Sequence, residues 1–257
     1  YTKLDNREIL LLEYGDTFPT DHLYNADDST YIHDNRYYIY VYLSKHCGSC
    51  LENFSSISKL FKIYQTPELT IKIIWEEETP PMRILEKYEI STESSLFMDK
   101  SVKLSSSVPK YYIVDDNNNV VFVDNTIKKI VEKIQSLDIV DNNTLFTNAA
   151  DYIVSSYVKQ SGDDTIIYFT MEGCKDCQFA DTIIENIAKE HPFELIRIYS
   201  YHTEDPQRIC DKDAIFLNAL GIDWYPSFLI LTESGQSFIG RTEEDELESC
   251  IIDAFGK

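Results

Sequence analysis

The sequence predicts an α/β protein in which two successive units each form a central mixed β-sheet flanked by helices. Each unit has a Cys-x-x-Cys motif directly after an apolar, β-rich run: Cys47-Gly-Ser-Cys50 in the first and Cys174-Lys-Asp-Cys177 in the second. Each unit also has a downstream proline, Pro109 or Pro226. From these prolines the two sequences align without a gap through a strand, a polar turn, a second strand and a helix. This repeated order of elements indicates a duplicated α/β unit.

Length and composition agree with two units. A chain of 257 residues with a hydrophobic fraction of 43% can form two separate cores, because single domains usually have roughly 100–150 residues. Glycine is scarce, which argues against a linker-rich or disordered chain. The polar stretch at residues 138–143 is the predicted boundary, so we expect domains at residues 1–138 and 139–257.

The first unit begins with a turn-rich entry at residues 15–19 and then alternates strands and helices. Hydrophobic periodicity predicts strands at residues 37–43, 69–75, 111–114 and 120–123, and helices at residues 49–64, 80–88 and 127–137. The last two strands form a hairpin around a run of Asp and Asn. Residues 91–107 are polar and lack a clear period, so no element is predicted there.

A helix at residues 144–159 leads into the second unit, which repeats the plan of the first. The predicted strands are residues 166–170, 193–199, 228–231 and 237–239, and the predicted helices are residues 175–189 and 207–219. Thr242 and Asp245 have the spacing of a capping box, which predicts the start of a last helix.

The position of each cysteine pair predicts redox chemistry. A strand that runs through Cys-x-x-Cys into a helix places the first cysteine at the helix N-terminus, where unpaired N–H groups and the helix dipole favour a thiolate. That thiolate attacks a disulfide, and the second cysteine, one turn inside the helix, resolves the mixed disulfide. We therefore predict Cys47 and Cys174 as nucleophiles and Cys50 and Cys177 as resolving thiols.

The order of strand, Cys-x-x-Cys, helix, strand, helix, proline, hairpin and helix resembles the thioredoxin fold. The resemblance implies two tandem thioredoxin-like domains. In that family the proline before the third core strand has a cis peptide bond and lies beside the dithiol, where it receives substrate backbone. Pro109 and Pro226 occupy that place, so the resemblance implies substrate binding at Val108, Pro109, Tyr225 and Pro226.

Each half resembles a different branch of the family. The segment Gly221-Ile-Asp-Trp-Tyr-Pro226-Ser-Phe resembles protein disulfide isomerase domains, whereas the entry Leu12-Glu-Tyr-Gly-Asp-Thr-Phe-Pro19 resembles the TlpA-like and redoxin branch. Val41 and Tyr168 stand where thioredoxins carry a buried acid, and Asn53 stands where TlpA-like proteins often carry Glu. Proton transfer to the resolving thiol is therefore expected to be slow or to use another group.

Residues next to the two motifs predict different thiol acidity. Lys45 and His46 precede the first motif, and positive neighbours stabilise a thiolate. Glu172 and Asp176 instead flank the first cysteine of the second motif, with Lys175 as partial compensation. We expect Lys45 and His46 to modulate the first site, whose nucleophile is then the more acidic thiol and whose disulfide is the more oxidising.

Two other uses of the cysteine pairs stay open: half-sites for zinc and permanent disulfides in an inert adaptor. Zinc modules usually hold their two pairs ~12–20 residues apart, a much shorter spacing than the one between these motifs. The two remaining cysteines, Cys210 and Cys250, are predicted to lie in helices. The resemblance to the thioredoxin fold implies that these helices cover opposite faces of the sheet, so a bridge between the two cysteines is not expected. Cys250 is expected to be a small buried residue, and the exposure of Cys210 stays open.

Trp224 and Tyr225 could form an apolar lip for a substrate.

The favoured function is thiol–disulfide exchange with protein substrates and a redox partner protein, without a metal or cofactor. The alternative is a non-catalytic, chaperone-like scaffold that uses the same folds to bind a partner. A net charge of −21 argues against nucleic acid and against docking on an anionic membrane. Extracytoplasmic residence is expected from the acidic surface, the TlpA-like entry and the start at Tyr1, with any membrane anchor lying N-terminal to this chain.

Overall fold

The structure is a computed structural model that describes residues 7–25, 27, 29, 31–77, 79–158, 164–201, 207–210 and 215–256. It divides into two compact units, Tyr1–Asn148 and Ala149–Lys257. The division falls within the helix Asn142–Tyr157. The predicted boundary between residues 138 and 139 lies just before this helix and stays a proposal.

Unit 1 contains eight strands and four helices in its described residues. The strands are β1 (Glu8–Ile9), β2 (Leu23–Asn25), β3 (Tyr37–Leu43), β4 (Leu69–Trp75), β5 (Ser95–Met98), β6 (Val102–Lys103), β7 (Lys110–Asp115) and β8 (Val120–Asp124). The helices are α1 (Gly48–Glu52), α2 (Phe54–Tyr64), α3 (Met82–Lys87) and α4 (Ile127–Ser136). Short 3₁₀ turns lie at Thr20–His22 and Thr92–Ser94.

The main sheet of unit 1 has the strand order β2-β5-β4-β3-β7-β8. Its central strand, β3, is parallel to β4 and antiparallel to β7. Every residue of β3 after Tyr37 is buried, so both faces of this strand are covered. On one face, Tyr38, Tyr40 and Tyr42 pack with Phe18 in one hydrophobic cluster. The strand is thereby fixed in position, and the loop that follows it carries the first cysteine pair.

Unit 2, together with the helix that enters it, contains the remaining elements. The strands are β9 (Thr165–Thr170), β10 (Glu194–Tyr199), β11 (Ile209–Cys210), β12 (Ser227–Thr232) and β13 (Gly235–Ile239), and the helices are α5 (Asn142–Tyr157), α6 (Lys175–Ile187), α7 (Ile215–Ala219) and α8 (Glu244–Phe255). The sheet order is β11-β10-β9-β12-β13. Helices α6 and α8 pack through their apolar stripes on one face of this sheet.

Four strands have the same arrangement in both units, which confirms the predicted mixed sheets flanked by helices. In unit 1 the order is β4-β3-β7-β8, and in unit 2 it is β10-β9-β12-β13. The first two strands of each set are parallel, and the last two form an antiparallel hairpin. In each unit the central strand is the one that leads into the Cys-x-x-Cys motif.

The structure corrects several predicted elements. The helix predicted at residues 49–64 breaks at Asn53, whose side-chain amide donates to the carbonyl of Ser49 at 2.9 Å and competes with the helical ladder. The polar stretch at residues 91–107 contains the buried strand β5. The helix predicted at residues 207–219 is wrong at its start, because β11 pairs in parallel with β10. Residues 211–214 and 159 lie outside the described residues.

The predicted capping box at the last helix is also wrong. Helix α8 has Glu243 as its N-cap residue and no side-chain capping bond. Thr242 lies one residue too early, and its hydroxyl donates to the carbonyl of Gly240 at 3.3 Å. The acidic residues Glu244, Asp245 and Glu246 occupy the first turn, where the helix dipole favours negative charge.

Candidate functional site

Each Cys-x-x-Cys motif forms a disulfide at the junction between the central strand and the following helix. Cys47 bonds to Cys50 and Cys174 bonds to Cys177, and the Cα atoms of each pair lie 5.2 Å apart. In both sites the first sulfur belongs to a half-buried residue and the second to a buried one. Cys177 is part of the core cluster of unit 2. The first cysteine of each pair is therefore the one that a substrate can reach.

Both outer cysteines are N-cap residues of the helix that follows them. The Sγ of Cys47 accepts the backbone N–H of Cys50 at 3.1 Å, and the Sγ of Cys174 accepts that of Cys177 at the same distance. These bonds satisfy N–H groups that have no partner within the helix. A negative charge on the outer sulfur would be stabilised by the same N–H group and by the helix dipole.

The two prolines lie opposite the outer cysteines. The peptide bonds Val108–Pro109 and Tyr225–Pro226 are both cis. The carbonyl oxygen of Val108 is 3.6 Å from Cys47 Sγ in unit 1. In unit 2, the carbonyl oxygen of Tyr225 is 3.8 Å from the Sγ of the outer cysteine. The structure thus brings each predicted cysteine pair together with its predicted proline segment.

Both halves of the chain share the same strand order, the same strand directions and a cis proline beside the cysteine pair. Each unit has the thioredoxin fold. In each unit a hairpin follows the cis proline, β7–β8 in unit 1 and β12–β13 in unit 2. The next helix, α4 or α8, packs against that hairpin.

No protein-family model and no curated protein matches this sequence. Solved structures are similar in fold. A thiol:disulfide interchange protein from Bacteroides sp. is 11% identical and covers 49% of this chain and 90% of its own, with a TM-score of 0.41. A peroxiredoxin-like protein from Aquifex aeolicus is 11% identical and covers 52% and 97%, with a TM-score of 0.40. A thioredoxin-like protein from Parabacteroides distasonis is 11% identical and covers 50% and 99%, with a TM-score of 0.37.

Ser49 is a neighbour of the first site whose role the sequence analysis missed. Its hydroxyl oxygen lies 3.1 Å from Cys47 Sγ, close enough to donate a hydrogen bond to the sulfur. The equivalent position in the second site is Asp176, a half-buried carboxylate. The sequence could have pointed to Ser49, because the residue before the second cysteine is Ser in one motif and Asp in the other.

Glu77 is a second residue that the sequence analysis missed. Its carboxylate accepts hydrogen bonds from the hydroxyl of Ser44 and, at 3.0 Å, from the backbone N–H of Lys45. Both donors belong to the loop between β3 and Cys47, so Glu77 holds that loop at the end of the parallel strand β4. Only the pairing of β3 with β4 reveals this contact, since parallel strands end at the same edge of a sheet.

The two predicted modulating residues lie on the same loop. The ammonium group of Lys45 donates to the hydroxyl of Thr79 at 3.2 Å. His46 is exposed, and its backbone N–H donates to Ser44 Oγ at 3.3 Å. Any influence of Lys45 and His46 on the thiol is therefore set against the nearby carboxylate of Glu77.

The positions of the missing buried acid are filled by residues that cannot accept a proton. Val41 is fully buried in unit 1. In unit 2, the hydroxyl of Tyr168 donates to the carbonyl of Cys177 at 2.9 Å. Burial raises the pKa of Tyr168 to about 12, so this hydroxyl stays protonated at neutral pH. Tyr168 can position the inner cysteine but cannot act as its base.

The surface beside the second site is partly aromatic. Trp224 is 38% exposed, and the guanidinium of Arg241 lies 4.5 Å above the centre of its ring. The hydroxyl of Tyr201 donates to the carbonyl of Glu172 at 2.6 Å, which ties the loop before Cys174 to the end of β10. The indole of Trp224 is thus exposed next to the cis proline and covered on one side by a cation, whereas Tyr225 is half-buried against the core. A substrate lip formed by these two residues stays a prediction.

Cys210 and Cys250 remain thiols, and both are half-buried. Cys210 lies in the edge strand β11 and not in a helix as predicted, whereas Cys250 lies in α8. Within the described ranges, no group of three or more His, Cys, Asp and Glu side chains is arranged to hold a metal ion. No helix among the same residues has the length and apolar composition needed to cross a membrane.

Proposed function

We propose that the protein is a thiol–disulfide oxidoreductase that exchanges disulfides with protein substrates at both Cys-x-x-Cys sites. The observation that carries the proposal is the matched geometry of the two sites. In each, a half-exposed outer sulfur caps a helix, and a backbone carbonyl before a cis proline faces it. A substrate segment lying along that carbonyl would present its own sulfur to the outer cysteine.

The exchange has two steps. The outer thiolate, of Cys47 or Cys174, attacks one sulfur of a substrate disulfide, and the other substrate sulfur leaves as a thiolate. The inner thiolate, of Cys50 or Cys177, then attacks the outer sulfur and releases the second substrate thiol. Two electrons pass from the protein dithiol to the substrate disulfide. Run backwards, the same steps oxidise a substrate dithiol, and the reduction potentials decide which direction prevails.

Substrate backbone would be received at Val108 and Pro109 in the first site and at Tyr225 and Pro226 in the second. The first site is proposed to be the more oxidising, with Lys45 and His46 as modulating residues. The contact between Ser49 and Cys47 supports this difference, because a hydroxyl donor stabilises a thiolate whereas a carboxylate in the equivalent position does not.

Extracytoplasmic residence is proposed on the acidic composition of the chain. Fractionation of cells that carry the complete protein would test it. Recovery of the protein from the cytosol alone would contradict this part of the proposal and leave the chemistry untouched.

The proposed chemistry is tested with insulin reduction by dithiothreitol as the assay. The intact chain should accelerate the reaction, and a variant with Cys47→Ser and Cys174→Ser should fall to the rate of protein-free solution, because neither site then has a nucleophile. The matched control replaces the other two cysteines, Cys210→Ser and Cys250→Ser, and should retain the rate of the parent.

The single variants Cys47→Ser and Cys174→Ser separate the contributions of the two sites. If the double variant reduces insulin as fast as the parent, the oxidoreductase assignment is wrong. If the parent does not accelerate insulin reduction and the double variant still binds its partner, the scaffold function is favoured instead.

A further inference from the structure

A cavity of about 430 Å³ opens directly beside the second cysteine pair. Two of its lining residues belong to the redox site. Asp176 lies between Cys174 and Cys177, and Pro226 is the cis proline whose preceding carbonyl faces the outer sulfur. A substrate that reacts at Cys174 must therefore place the residues next to its own cysteine at the mouth of this cavity.

Part of the cavity lining is apolar. Phe179 is 40% exposed and Trp224 is 38% exposed, and both line the cavity together with Leu247, which is buried in α8. Large aromatic side chains that stay exposed next to a reactive sulfur offer a surface for the hydrocarbon part of a ligand. The size of the cavity is sufficient for one or two long side chains.

The rim of the cavity is acidic. Four carboxylates line it, from Asp176, Glu243, Glu244 and Asp245, against the single guanidinium of Arg241. The last three acids lie at the start of α8, where the helix dipole favours negative charge and is enough to explain why acidic residues occur there. Asp176 comes from a different element, α6, and converges on the same cavity. Arg241 lies over the indole of Trp224, and its one positive charge leaves the four carboxylates in excess.

From this arrangement we propose that the second site selects protein substrates that carry lysine or arginine next to the reacting cysteine. The aliphatic stem of such a side chain would pack on Phe179 and Trp224 while its cationic group lies among the carboxylates of the rim. This inference rests on the proposed function, because it concerns the substrates of that same exchange reaction. The cationic group of the substrate lies near several carboxylates, and each exposed ion pair stabilises the complex modestly. We therefore expect a substrate with lysine beside its cysteine to react about tenfold faster than one with glutamate there.

The test uses the full chain with Cys47→Ser and Cys50→Ser, so that only the second site reacts. The protein is reduced with dithiothreitol and freed from it. It is then mixed with one of two peptide homodimers, each joined by one disulfide, with lysine or with glutamate on both sides of the cysteine. Reduction of one homodimer yields two peptide thiols and oxidises the Cys174–Cys177 dithiol to a disulfide. Each rate is divided by the rate of the same homodimer with dithiothreitol, which corrects for intrinsic reactivity.

The lysine homodimer should react about tenfold faster than the glutamate homodimer after this correction. The variant Glu243→Gln with Asp245→Asn removes two of the four carboxylates and should lower the ratio to about threefold. The matched control, Glu246→Gln with Glu248→Gln, changes the same charge on the same helix outside the cavity lining and should keep the ratio of the parent.

Three results would overturn the inference. Equal corrected rates for the two homodimers would leave the proposed exchange function standing and remove the selectivity. An equal loss of selectivity in the control variant would assign the effect to the overall charge of the helix. Failure to reduce either homodimer would contradict both the selectivity and the proposed function at this site.

Discussion

The two residues inside each motif differ between the cysteine pairs, with Gly48 and Ser49 in the first and Lys175 and Asp176 in the second. The backbone geometry of the sites is nearly the same, since each outer sulfur accepts an N–H at 3.1 Å and faces a carbonyl before a cis proline. The residue before the inner cysteine is Ser49 in one and Asp176 in the other. A hydroxyl can donate to a thiolate, whereas a carboxylate repels it, so the two thiols should differ in acidity.

Exchanging these two residues should reverse part of that difference. The change Ser49→Asp should raise the pKa of the Cys47 thiol, and Asp176→Ser should lower the pKa of the Cys174 thiol. The pH dependence of alkylation by iodoacetamide measures each thiol, in chains where all other cysteines are Ser. In the unexchanged chains, equal thiol pKa values, or a lower value for Cys174, would contradict the proposal that the first site is the more oxidising.

Residues inside a motif could be predicted from the sequence, whereas residues that act across strands could not. The cysteines and prolines occur in recognisable local patterns, and the structure brings them together. Glu77 lies after strand β4 and belongs to no recognisable sequence motif. Only the register of β3 and β4 places it beside the loop that contains Lys45. Tyr168 could be identified as a departure from the family, but its bond to the carbonyl of Cys177 depends on packing.

At the scale of elements, long periodic segments could be predicted and short ones could not. The strands β3 and β4 have the predicted bounds. The strand β5 has four residues that are all buried, so it has no alternation of polar and apolar side chains, and its neighbours are polar. The edge strand β11 was predicted as helix because local pattern favoured one, but pairing with β10 overrides that preference.

A histidine joins the loop before β3 to strand β7 in unit 1. The Nε2 atom of His33 lies 2.9 Å from the carbonyl oxygen of Asp115, which can only accept, so Nε2 carries a hydrogen. The Nδ1 atom lies 3.0 Å from the hydroxyl oxygen of Tyr40, within hydrogen-bond distance. Burial lowers the pKa of His33 below its ordinary value, despite neighbouring carboxylates that act in the opposite direction.

This lowered pKa predicts a loss of stability in acid. The unfolded chain binds the proton more readily than the folded one, so the contribution of His33 is complete above the ordinary histidine pKa of about 6.5 and is lost as pH falls through the folded value. The free energy of unfolding of the parent, minus that of the His33→Gln variant, should therefore decrease as the pH is lowered from neutral to acidic.

Urea unfolding at several pH values measures this difference. The chain has two tryptophans, so a Trp224→Phe background leaves Trp75, buried in unit 1, as the reporter. The exposed His46, replaced by Gln, serves as the control in the same unit. A stability difference between the parent and His33→Gln that stays constant with pH would contradict the assignment of His33 as a buried neutral group.

At the scale of the whole molecule, the main feature is the repetition of one redox geometry in two units of different surface chemistry. The pattern of strand, cysteine pair, proline and hairpin predicted this repetition, because each unit keeps its motifs in the same order along the chain. The differences between the units could not be predicted in the same way. The acidic cavity beside the second site combines residues from α6, the cis-proline segment and the start of α8, which are far apart in sequence.

The central claim is that the outer cysteine of each pair attacks substrate disulfides, and trapping the mixed disulfide tests it most directly. In a chain with Cys50→Ser and Cys177→Ser, the second step is blocked. Incubation with a disulfide-bonded protein such as insulin, followed by mass spectrometry of non-reduced peptides, should find substrate linked to Cys47 and to Cys174. Absence of substrate at both outer cysteines, or linkage through Cys210 or Cys250 instead, would contradict the account.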